Sequence, residues 1–532
     1  MRFHTLALLR LSAAAILVSW SSSYGQYTNV RLSQPGTRPN EVTIAINPTN
    51  PLEIAAGSNP RYTYRSTDGG ESWSQGELPP GTWGDPSVIY DAGGMLYYAH
   101  LAYLPGGEFA DRLIVHRSAD GGLTWSDSSE AGHNPPLRVQ DKEWIAADAT
   151  DSQYRNSLYM AWTEFDQYDS ANPSDSTRIF SVWSIDGGGS WSDPVRVSEQ
   201  AGDCLDSDGT VEGAVPAIGP GGEIYLSWSG PLGIMFDRST NGGVTFGEDR
   251  FVTDQPGGWA FSIPGIFRCN GFPVTACDLS DSPYRGTVYI VWSDQRNGMD
   301  NTDVFLTKST DGGTTWSPRR KVNDDMTVSH QFFPWMTIDQ ATGILYFIFY
   351  DRRGTTGNAT DVYMARSTDG GETFQNSRVS ESSFTPSAQV FIGDYNNIAA
   401  ADGRVYPIWT RMDNGDLSVW IALVADPVGV GGGAQPTVPT SFALYQNYPN
   451  PFNPSTTIDF EIGSGEGNRS SIPVTLTVYD ILGREVATLL NEKLGPGRHS
   501  VRFDAGGLAG GLYTYRLRAS GESRDRIMVY LR

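Results

Sequence analysis

The chain has 532 residues, which is enough to bury a large hydrophobic core and to divide into two or three domains. Its 60 Asp and Glu residues exceed its 38 Lys and Arg residues, and the formal net charge at pH 7 is -22. This charge repels the phosphates of nucleic acids and of anionic membrane surfaces, so we do not expect the protein to bind nucleic acid.

The N-terminal segment has the pattern of a cleaved secretory signal. Arg2 and Arg10 precede an apolar run, and the small residues Ser23 and Gly25 follow it. A membrane anchor is the alternative, but the apolar run is shorter than the roughly 20 residues that a spanning helix needs. We therefore predict a signal peptide at residues 1–25 and an exported protein without a transmembrane segment after its removal.

An octet recurs six times along the next 350 or so residues. Its copies are STDGGESW at Ser66, SADGGLTW at Ser118, SIDGGGSW at Ser184, STNGGVTF at Ser239, STDGGTTW at Ser309 and STDGGETF at Ser367. The Asp or Asn can accept hydrogen bonds from backbone amides and close a tight turn, and the glycines allow positive φ. The closing Trp or Phe offers a large apolar body to pack beneath the turn. We predict that each octet is a structural corner between two strands.

Strand-like runs surround each octet. In the fifth unit, PVTACDL, TVYIVWS and DVFLTKS precede the octet, and short runs such as PVRVSE and RKVND follow other copies. Four-stranded antiparallel units of roughly 60 residues, repeated around an axis, are typical of a β-propeller. The sequence therefore predicts an all-β propeller over residues 26–425.

The blade number depends on how the ring closes. A seventh triplet, NNIAAAD, RVYPIWT and LSVWIAL, has neither an octet nor a fourth strand. VRLSQ at residues 30–34 resembles the fourth strands of the other units and would remove the open edge. We predict seven blades, with residues 30–34 paired beside LSVWIAL, and keep six blades as the alternative.

The octets resemble the Asp boxes, or bacterial neuraminidase repeats, of sialidases and related propellers. The resemblance covers residues 29 to about 425 and implies a sialidase-like propeller. Asp boxes also occur in propellers that cut other glycans or only bind partners, and the sialidase resemblance implies six blades.

The C-terminal region differs in composition. Residues 426–440, DPVGVGGGAQPTVPT, are a Gly/Pro-rich linker, and residues 441–532 alternate strand-like runs with glycine turns. We predict a small immunoglobulin-like β-sandwich there. YPNPFNPSTTI and GLYTYRLRA resemble type IX secretion C-terminal sorting domains, which implies the type IX machinery as a partner and delivery to the outer-membrane surface or beyond. A generic carbohydrate-binding sandwich is the alternative.

Three arginines follow the second strands of consecutive predicted blades: Arg296, Arg352 and Arg411. These strand ends lie on the face opposite the octets, so the guanidinium groups could together clamp a carboxylate or sulfate of a substrate. The alternative is that each pairs with a local acid, Asp294, Asp351 or Asp413.

The sialidase resemblance implies three arginines on the substrate carboxylate, a Tyr nucleophile activated by a Glu, and an Asp acid/base. On this basis Tyr395 and Glu212 are the catalytic candidates for the first two roles, and Asp85 or Asp394 for the acid. The family's Phe-Arg-Ile-Pro signature is absent, because the nearest string, FSIP at residues 261–264, has Ser262 in place of Arg.

Two functions follow from these residues. One is a secreted or cell-surface glycoside hydrolase of the exo-sialidase type, acting on an extracellular glycan or glycoprotein. The other is a non-catalytic propeller that binds glycan or protein through the same face. Buried carboxylates with shifted pKa values would favour the enzyme, and locally paired charges would favour the binder.

Little in the sequence indicates a cofactor. We expect none, although the Asp-rich loops at residues 206–209 and 299–303 could hold structural calcium. Among the three cysteines, Cys269 and Cys277 could form a local disulfide that leaves Cys204 alone.

Overall fold

A computed structural model of the protein describes residues 27–426, apart from 104–109, 127 and 134–137, and residues 443–531, apart from 445–446, 448–449, 463–471, 495–496 and 520–521. The predicted signal peptide and almost all of the predicted linker lie outside these residues. The chain divides into two compact units, Met1–Val428 and Gly429–Arg532.

The described part of the N-terminal unit forms seven four-stranded antiparallel sheets and one short hairpin. Its strands in the first half are β1 (Thr28–Arg31), β2 (Val42–Ile46), β3 (Ile54–Ser58), β4 (Tyr62–Ser66), β5 (Ser74–Glu77), β6 (Thr82–Tyr90), β7 (Leu96–Ala102), β8 (Arg112–Ser118), β9 (Ser129–His133), β10 (Val139–Ala147), β11 (Leu158–Phe165), β12 (Thr177–Ser184) and β13 (Val195–Arg196).

The strands of the second half are β14 (Glu212–Ile218), β15 (Ile224–Gly230), β16 (Gly233–Ser239), β17 (Arg250–Thr253), β18 (Ala260–Phe261), β19 (Cys269–Asn270), β20 (Val274–Cys277), β21 (Val288–Asp294), β22 (Asp303–Ser309), β23 (Arg320–Lys321), β24 (Gln331–Asp339), β25 (Ile344–Asp351), β26 (Asp361–Ser367), β27 (Gln375–Arg378), β28 (Asn397–Ala401), β29 (Arg404–Asp413) and β30 (Asp416–Ala425).

The seven sheets are the blades of a propeller. Blades 1 to 6 are β2–β5, β6–β9, β10–β13, β14–β17, β20–β23 and β24–β27, and blade 7 is β28–β30 with β1. The first strands contact one another in the closed cycle β2, β6, β10, β14, β20, β24, β28 and back to β2. They therefore surround a common axis, as the strand pattern of the sequence predicts.

The N-terminal strand closes the ring. β1 pairs antiparallel with β30, with Val30 opposite Ile421 and Arg31 opposite Trp420. Leu32 extends the pairing by donating its backbone N–H to Val419 at 2.9 Å. The predicted pairing of this segment beside LSVWIAL is confirmed, so the last blade has no unpaired edge.

Large aromatic side chains fill the space between blades. Each of four second strands contributes a fully buried tryptophan at a matching position: Trp162, Trp228, Trp292 and Trp409. Blade 6 has the fully buried Phe349 in the corresponding place. Side chains of this size bury the most apolar area per residue and dominate the core of each blade contact.

The octets form the corners that their sequence predicts. In the fifth copy, Asp311 Oδ1 accepts hydrogen bonds from Ser309 Oγ at 2.7 Å and from the Thr315 N–H at 2.8 Å. The Ser309 hydroxyl oxygen accepts the Gly313 N–H at 2.8 Å. The other five copies repeat this pattern, with Asn241 replacing the Asp in blade 4. Each octet thus satisfies its own polar groups.

The C-terminal unit consists of two antiparallel sheets. One contains β31 (Ala443–Leu444), β32 (Ser455–Ile462) and β35 (Gly497–Asp504), and the other contains β33 (Ile472–Asp480), β34 (Glu485–Leu494), β36 (Gly511–Ala519) and β37 (Glu522–Tyr530). Phe460, Leu476 and Tyr515 belong to a single buried core to which both sheets contribute. This is the predicted β-sandwich; its immunoglobulin-like topology remains a prediction.

Cys204, Cys269 and Cys277 are all buried and free, so the local disulfide that the sequence left open is not formed. Among the described residues, no helix has the length and apolar character to cross a membrane.

Candidate functional site at the ring axis

An unusual backbone conformation recurs where the first strands begin. Glu41, Asp85, Lys142 and Phe333 have φ values of 49°, 51°, 53° and 50°. The pairing register shifts at this point in β6, β10 and β24, which marks β-bulges. Bulges re-aim side chains and are common beside active sites, and left-handed φ is costly for residues other than glycine. The repetition therefore points to a functional end of the propeller.

This end is opposite the octets. The octets connect third to fourth strands, whereas the bulges lie where the chain enters the first strands from the fourth strands of the preceding blades. Antiparallel strands place these two kinds of connection at opposite ends of a blade. The predicted location of the site, across the ring from the octets, agrees with this arrangement.

A cavity of about 230 Å³ opens here. Its ionisable lining residues are Glu41, Asp85, Asp141, Tyr168 and Arg268, and its aromatic lining includes Trp83 and Phe391. Trp83 is 47% exposed and packs edge to face on Tyr103. An exposed aromatic ring beside acidic groups is suited to stacking against a sugar.

Glu41 and Asp85 form a carboxyl pair. Both side chains line the cavity. Burial and then the neighbouring charge of Asp85 raise the pKa of Glu41 well above its ordinary value. Asn59 fixes the pair, because its amide nitrogen donates to Glu41 and its oxygen accepts the Asp85 N–H at 2.8 Å.

Lys142 lies at the centre of the acidic residues. Its Nζ is 3.2 Å from the centroid of the Tyr395 ring and has no hydrogen-bond partner among the described residues. Its positive charge lowers the pKa of five surrounding acids, Glu41, Asp141, Glu143, Glu212 and Asp394. Burial outweighs this effect, and the pKa of every one of the five is raised.

Arg268 enters the site from an insertion. The hairpin β18–β19 lies between blades 4 and 5 and carries Arg268 just before β19. Arg268 donates from Nε to Asp394 Oδ1 at 3.1 Å and from Nη1 to Asp206 Oδ2 at 3.3 Å. Its side chain remains 47% exposed, so it can still meet a ligand.

The structure changes the interpretation of the three predicted arginines. Arg296 is bound to Asp294 and also contacts Asp254. Arg411 donates from Nε to Asp413 at 2.7 Å. These two are held by local acids, as the alternative interpretation predicts, and are not free to clamp a substrate.

Arg352 has a different environment. Asp351 pairs with Arg353 at 2.7 Å, so the predicted Asp351–Arg352 pair is wrong. Arg352 is 6% exposed and donates to the Pro264 carbonyl at 2.8 Å and to Thr360 Oγ1 at 3.1 Å. Pro264 belongs to the insertion that carries Arg268, so Arg352 fastens that insertion to blade 6.

The four predicted catalytic residues do gather around the axis. Asp85 lines the cavity, and Asp394 is bound to Arg268. Glu212 is 4% exposed, its Oε2 has no partner among the described residues, and burial raises its pKa well above normal. Neither Glu212 nor Tyr395 is among the described residues that line the cavity.

Tyr395 belongs to an aromatic layer beneath the cavity. Its ring packs on Trp144 and Trp335 with centroid distances of 5.8 and 6.0 Å, and these two rings are 4.3 Å apart. Burial and the charge of Asp85 raise the pKa of Tyr395 well above 10. The role of Tyr395 as the nucleophile remains a prediction.

A larger cavity of about 430 Å³ lies along the axis beyond this layer, toward the octet face. Its lining is mostly Ala, Ile and Pro. The carboxylate of Asp339 there is satisfied by the backbone N–H groups of Ala341, Asp402 and Gly403. The chemistry is concentrated in the smaller acidic cavity.

The residues that the sequence analysis did not single out are Glu41, Asp141, Lys142, Glu143 and Arg268. Glu41 ends the segment QPGTRPNE, which leads into β2, and Asp141, Lys142 and Glu143 stand in VQDKEW, at the start of β10. Arg268 lies in a connection of 20 residues between β17 and β20, at residues 254–273, and this length was the available signal for an insertion.

Comparison with known proteins agrees with this architecture. Residues 446–530 match the secretion system C-terminal sorting domain, and residues 64–75 match the BNR/Asp-box repeat. The protein is a sialidase-like Asp-box β-propeller followed by a type IX secretion sorting domain, which confirms both resemblances. The sorting domain directs proteins to secretion and cell-surface attachment.

One curated relative is a sialidase from Micromonospora viridifaciens, 26% identical over 348 residues, which are 60% of this chain and 50% of the relative. This chain thus spans about half the length of that relative. Solved structures with similarity include the Hadza microbial sialidase Hz136, with 13% identity, a TM-score of 0.39 and coverage of 71% of this chain and 75% of that one. The NanB sialidase from Streptococcus pneumoniae gives 9% identity, a TM-score of 0.42 and coverage of 64% and 68%.

Proposed function

We propose that the protein is a cell-surface glycoside hydrolase that cleaves an extracellular glycan at the axial cavity. The observation that supports this most is the set of cavity carboxyl groups with raised pKa values, Glu41 and Asp141. Glycosidases use one carboxyl group that is protonated near neutral pH and a second that is ionised during the reaction. The proposal also places the protein on the outer-membrane surface.

In this mechanism Glu41, with Asp85 beside it, supplies the acid proton to the leaving oxygen. Burial keeps the proton on Glu41, and Asp85 beside it disfavours its loss. Asp141 lines the same cavity and is the base or nucleophile. Asp85 influences the pKa of both Glu41 and Asp141, which is consistent with a position between them.

The lack of a free arginine cluster at the site argues for a neutral sugar at the cleavage point. Two cations, Lys142 and Arg268, lie among seven acids at this point. The acids are Glu41, Asp85, Asp141, Glu143, Asp206, Glu212 and Asp394. Arg268 is already bound to Asp394, and Arg296 and Arg411 have their own acids. Exo-sialidase activity, with a carboxylate held by three arginines, is the narrower form of the proposal and has less support.

The test is hydrolysis of a panel of aryl glycosides, sialosides included, by the purified full chain. We expect turnover of at least one neutral glycoside, and Glu41→Gln and Asp141→Asn should each lower kcat by about 100-fold or more. Arg411→Ala is the matched control and should retain activity, because Arg411 is engaged by Asp413. Turnover confined to sialosides and abolished by Arg411→Ala would instead support the sialidase form.

A second candidate function is glycan binding without turnover. It is favoured by Trp83, which is 47% exposed at the cavity. Binding of a glycan array that is lost in Trp83→Ala, together with no hydrolysis of any panel member, would establish the binding propeller and refute the hydrolase.

A further inference from the structure

Three carboxylates meet where blade 3 contacts blade 4, away from the axial cavity. Asp237 lies on β16, Asp249 precedes β17, and Glu199 follows β13. One oxygen from each lies within 4.8 Å of the oxygens offered by the other two. Among the described residues, this is the group of acids whose oxygens have the spacing of a metal site. The Asp-rich loops at residues 206–209 and 299–303, which are described, contain no such group.

Two oxygens in this group lack partners. Asp237 is 2% exposed, and its Oδ1 accepts the N–H groups of Arg238 and Gly247 at 2.6 and 3.0 Å, while its buried Oδ2 accepts nothing among the described residues. Asp249 Oδ2 accepts the Glu199 N–H at 3.0 Å, while its buried Oδ1 is unpartnered. Buried carboxylate oxygens without partners are costly, so a missing ligand is indicated.

Equivalent blade contacts in the same ring show what the fold itself requires. Between blades 6 and 7, the Asn29 side chain accepts the Glu381 N–H at 2.8 Å and donates to the Val379 carbonyl at 2.8 Å. Between blades 5 and 6, Asn376 accepts the Asp324 N–H at 3.1 Å and donates to the Val322 carbonyl at 3.0 Å. In both of these contacts the link is made by an amide, which can both accept and donate.

The residue paired with this amide is an alanine in both of those blades, Ala422 opposite Asn29 and Ala365 opposite Asn376. Blade 4 replaces the amide by Asp249 and has Asp237 at the position that matches Ala365, two residues before the octet serine. Two carboxylates therefore stand where blades 6 and 7 have Asn and Ala. The structural link does not explain this excess negative charge.

We propose that Glu199, Asp237 and Asp249 bind a divalent cation, calcium, that fastens blade 3 to blade 4. Calcium takes oxygen ligands at about 2.3–2.6 Å, so oxygens up to about 4.6–5.2 Å apart can share one ion. Three carboxylates offset its charge, and water can complete its six to eight ligands.

The experiment measures calcium binding to the chelator-treated full chain by equilibrium dialysis, and thermal unfolding with and without 10 mM calcium. We expect saturable binding with a dissociation constant of about 10⁻⁴–10⁻³ M, as in extracellular modules. Calcium should raise Tm by about 2–4 °C. Magnesium at the same concentration should do less, since it requires shorter distances and loses water reluctantly.

The matched variant is the double substitution Asp237→Ala with Asp249→Asn, which restores the residue pair of blades 6 and 7. It should fold, lose one bound calcium and lose the calcium-dependent rise in Tm. Asp193 is an exposed acid in blade 3. The control Asp193→Asn removes the same charge as Asp249→Asn and should keep both the bound calcium and the calcium-dependent rise in Tm.

If the double variant does not fold, Glu199→Gln replaces it, because Glu199 is exposed. Absence of calcium binding to the unsubstituted chain would overturn the proposal and leave a shared proton between Glu199 and Asp249 as the neutralising species. Binding that is unchanged in the variants would also overturn it.

Discussion

Single buried acids set the properties of the axial site. Glu143 is 1% exposed, and neither of its carboxyl oxygens has a partner among the described residues. Burial, followed by the charges of Asp85 and Asp141, raises the pKa of Glu143 well above its ordinary value. In the folded protein this group is therefore most stable in its neutral form.

The pH dependence that follows has a definite sign. The unfolded chain ionises Glu143 near about pH 4.3, whereas the folded chain keeps the proton to higher pH. The stability associated with the neutral form is complete below the unfolded pKa and is lost as pH rises toward the folded pKa.

We predict that Glu143→Gln, which cannot ionise, stabilises the propeller at neutral pH but not in acid. Relative to the unsubstituted chain, the gain should be near zero at pH 4 and about 1 kcal/mol or more at pH 7, since one pKa unit is about 1.4 kcal/mol. Tryptophan fluorescence during unfolding at pH 4 to 8 measures this for the propeller alone, because residues 429–532 contain no Trp.

Glu71→Gln is the control, because Glu71 is exposed on the first octet and should show no such difference. A Glu143→Gln variant that loses stability equally at every pH would contradict the prediction and indicate a structural role for the carboxyl group.

The octet is the element that the sequence predicted most completely. Its serine, aspartate and glycines form a corner from contacts within a few residues, so a local pattern determines it. Hydrogen bonds from Thr124 and Ser190 lower the pKa of Asp120 and of Asp186 to about 2. The octet carboxylates thus act as hydrogen-bond acceptors for the turn, at the face remote from the axial cavity.

We predict that Asp311→Ala destabilises the propeller by about 1–2 kcal/mol, because it removes acceptors for two backbone N–H groups and two hydroxyls at an exposed corner. Ligand binding or turnover by the folded protein should be unchanged. Thermal unfolding and the glycoside assay measure the two effects.

Asp311→Asn is the matched control that blade 4 itself provides. There Asn241 Oδ1 accepts the Thr245 N–H at 3.0 Å and its Nδ2 donates to Thr245 Oγ1 at 2.8 Å. The Asn variant should therefore recover most of the lost stability. Loss of activity at unchanged stability in either variant would mean that the octet takes part in function.

Elements that depend on distant contacts were harder to predict. The strands, the octets and the ring closure by β1 follow from repeated local patterns, and Asp85, Glu212, Asp394 and Tyr395 do converge on the axis as residues of one face. The left-handed backbone at Glu41, the bulge at Lys142 and the hairpin that brings Arg268 to Asp394 depend on long-range packing. No periodic pattern in the sequence predicts these features.

The same dependence on long-range packing explains why the sequence did not predict the partners of the three arginines. Spacing along the chain placed Arg296, Arg352 and Arg411 after equivalent strands. Arg296 and Arg352 do follow β21 and β25, whereas Arg411 lies within β29. Spacing does not indicate which acid each guanidinium meets. Arg296 and Arg411 turn to acids two residues away, while Arg352 turns inward to Pro264.

At the scale of the whole molecule, folding and delivery are separate tasks. The sorting domain has its own core, formed by residues between Leu444 and Tyr530, and the propeller cores lie within residues 30–424. A unit with its own core can fold alone.

We predict that deletion of residues 441–532 leaves a folded propeller that accumulates in the periplasm, because the propeller retains every strand of its ring while the sorting signal is lost. Its tryptophan-detected unfolding should match that of the full chain.

The complementary control is a reporter domain joined to residues 426–532 behind the same N-terminal segment, which should reach the cell surface. Cell fractionation and protease accessibility of intact cells measure both. Efficient surface delivery of the truncated chain would show that sorting resides elsewhere, and loss of the cooperative tryptophan transition would show that the propeller depends on its tail.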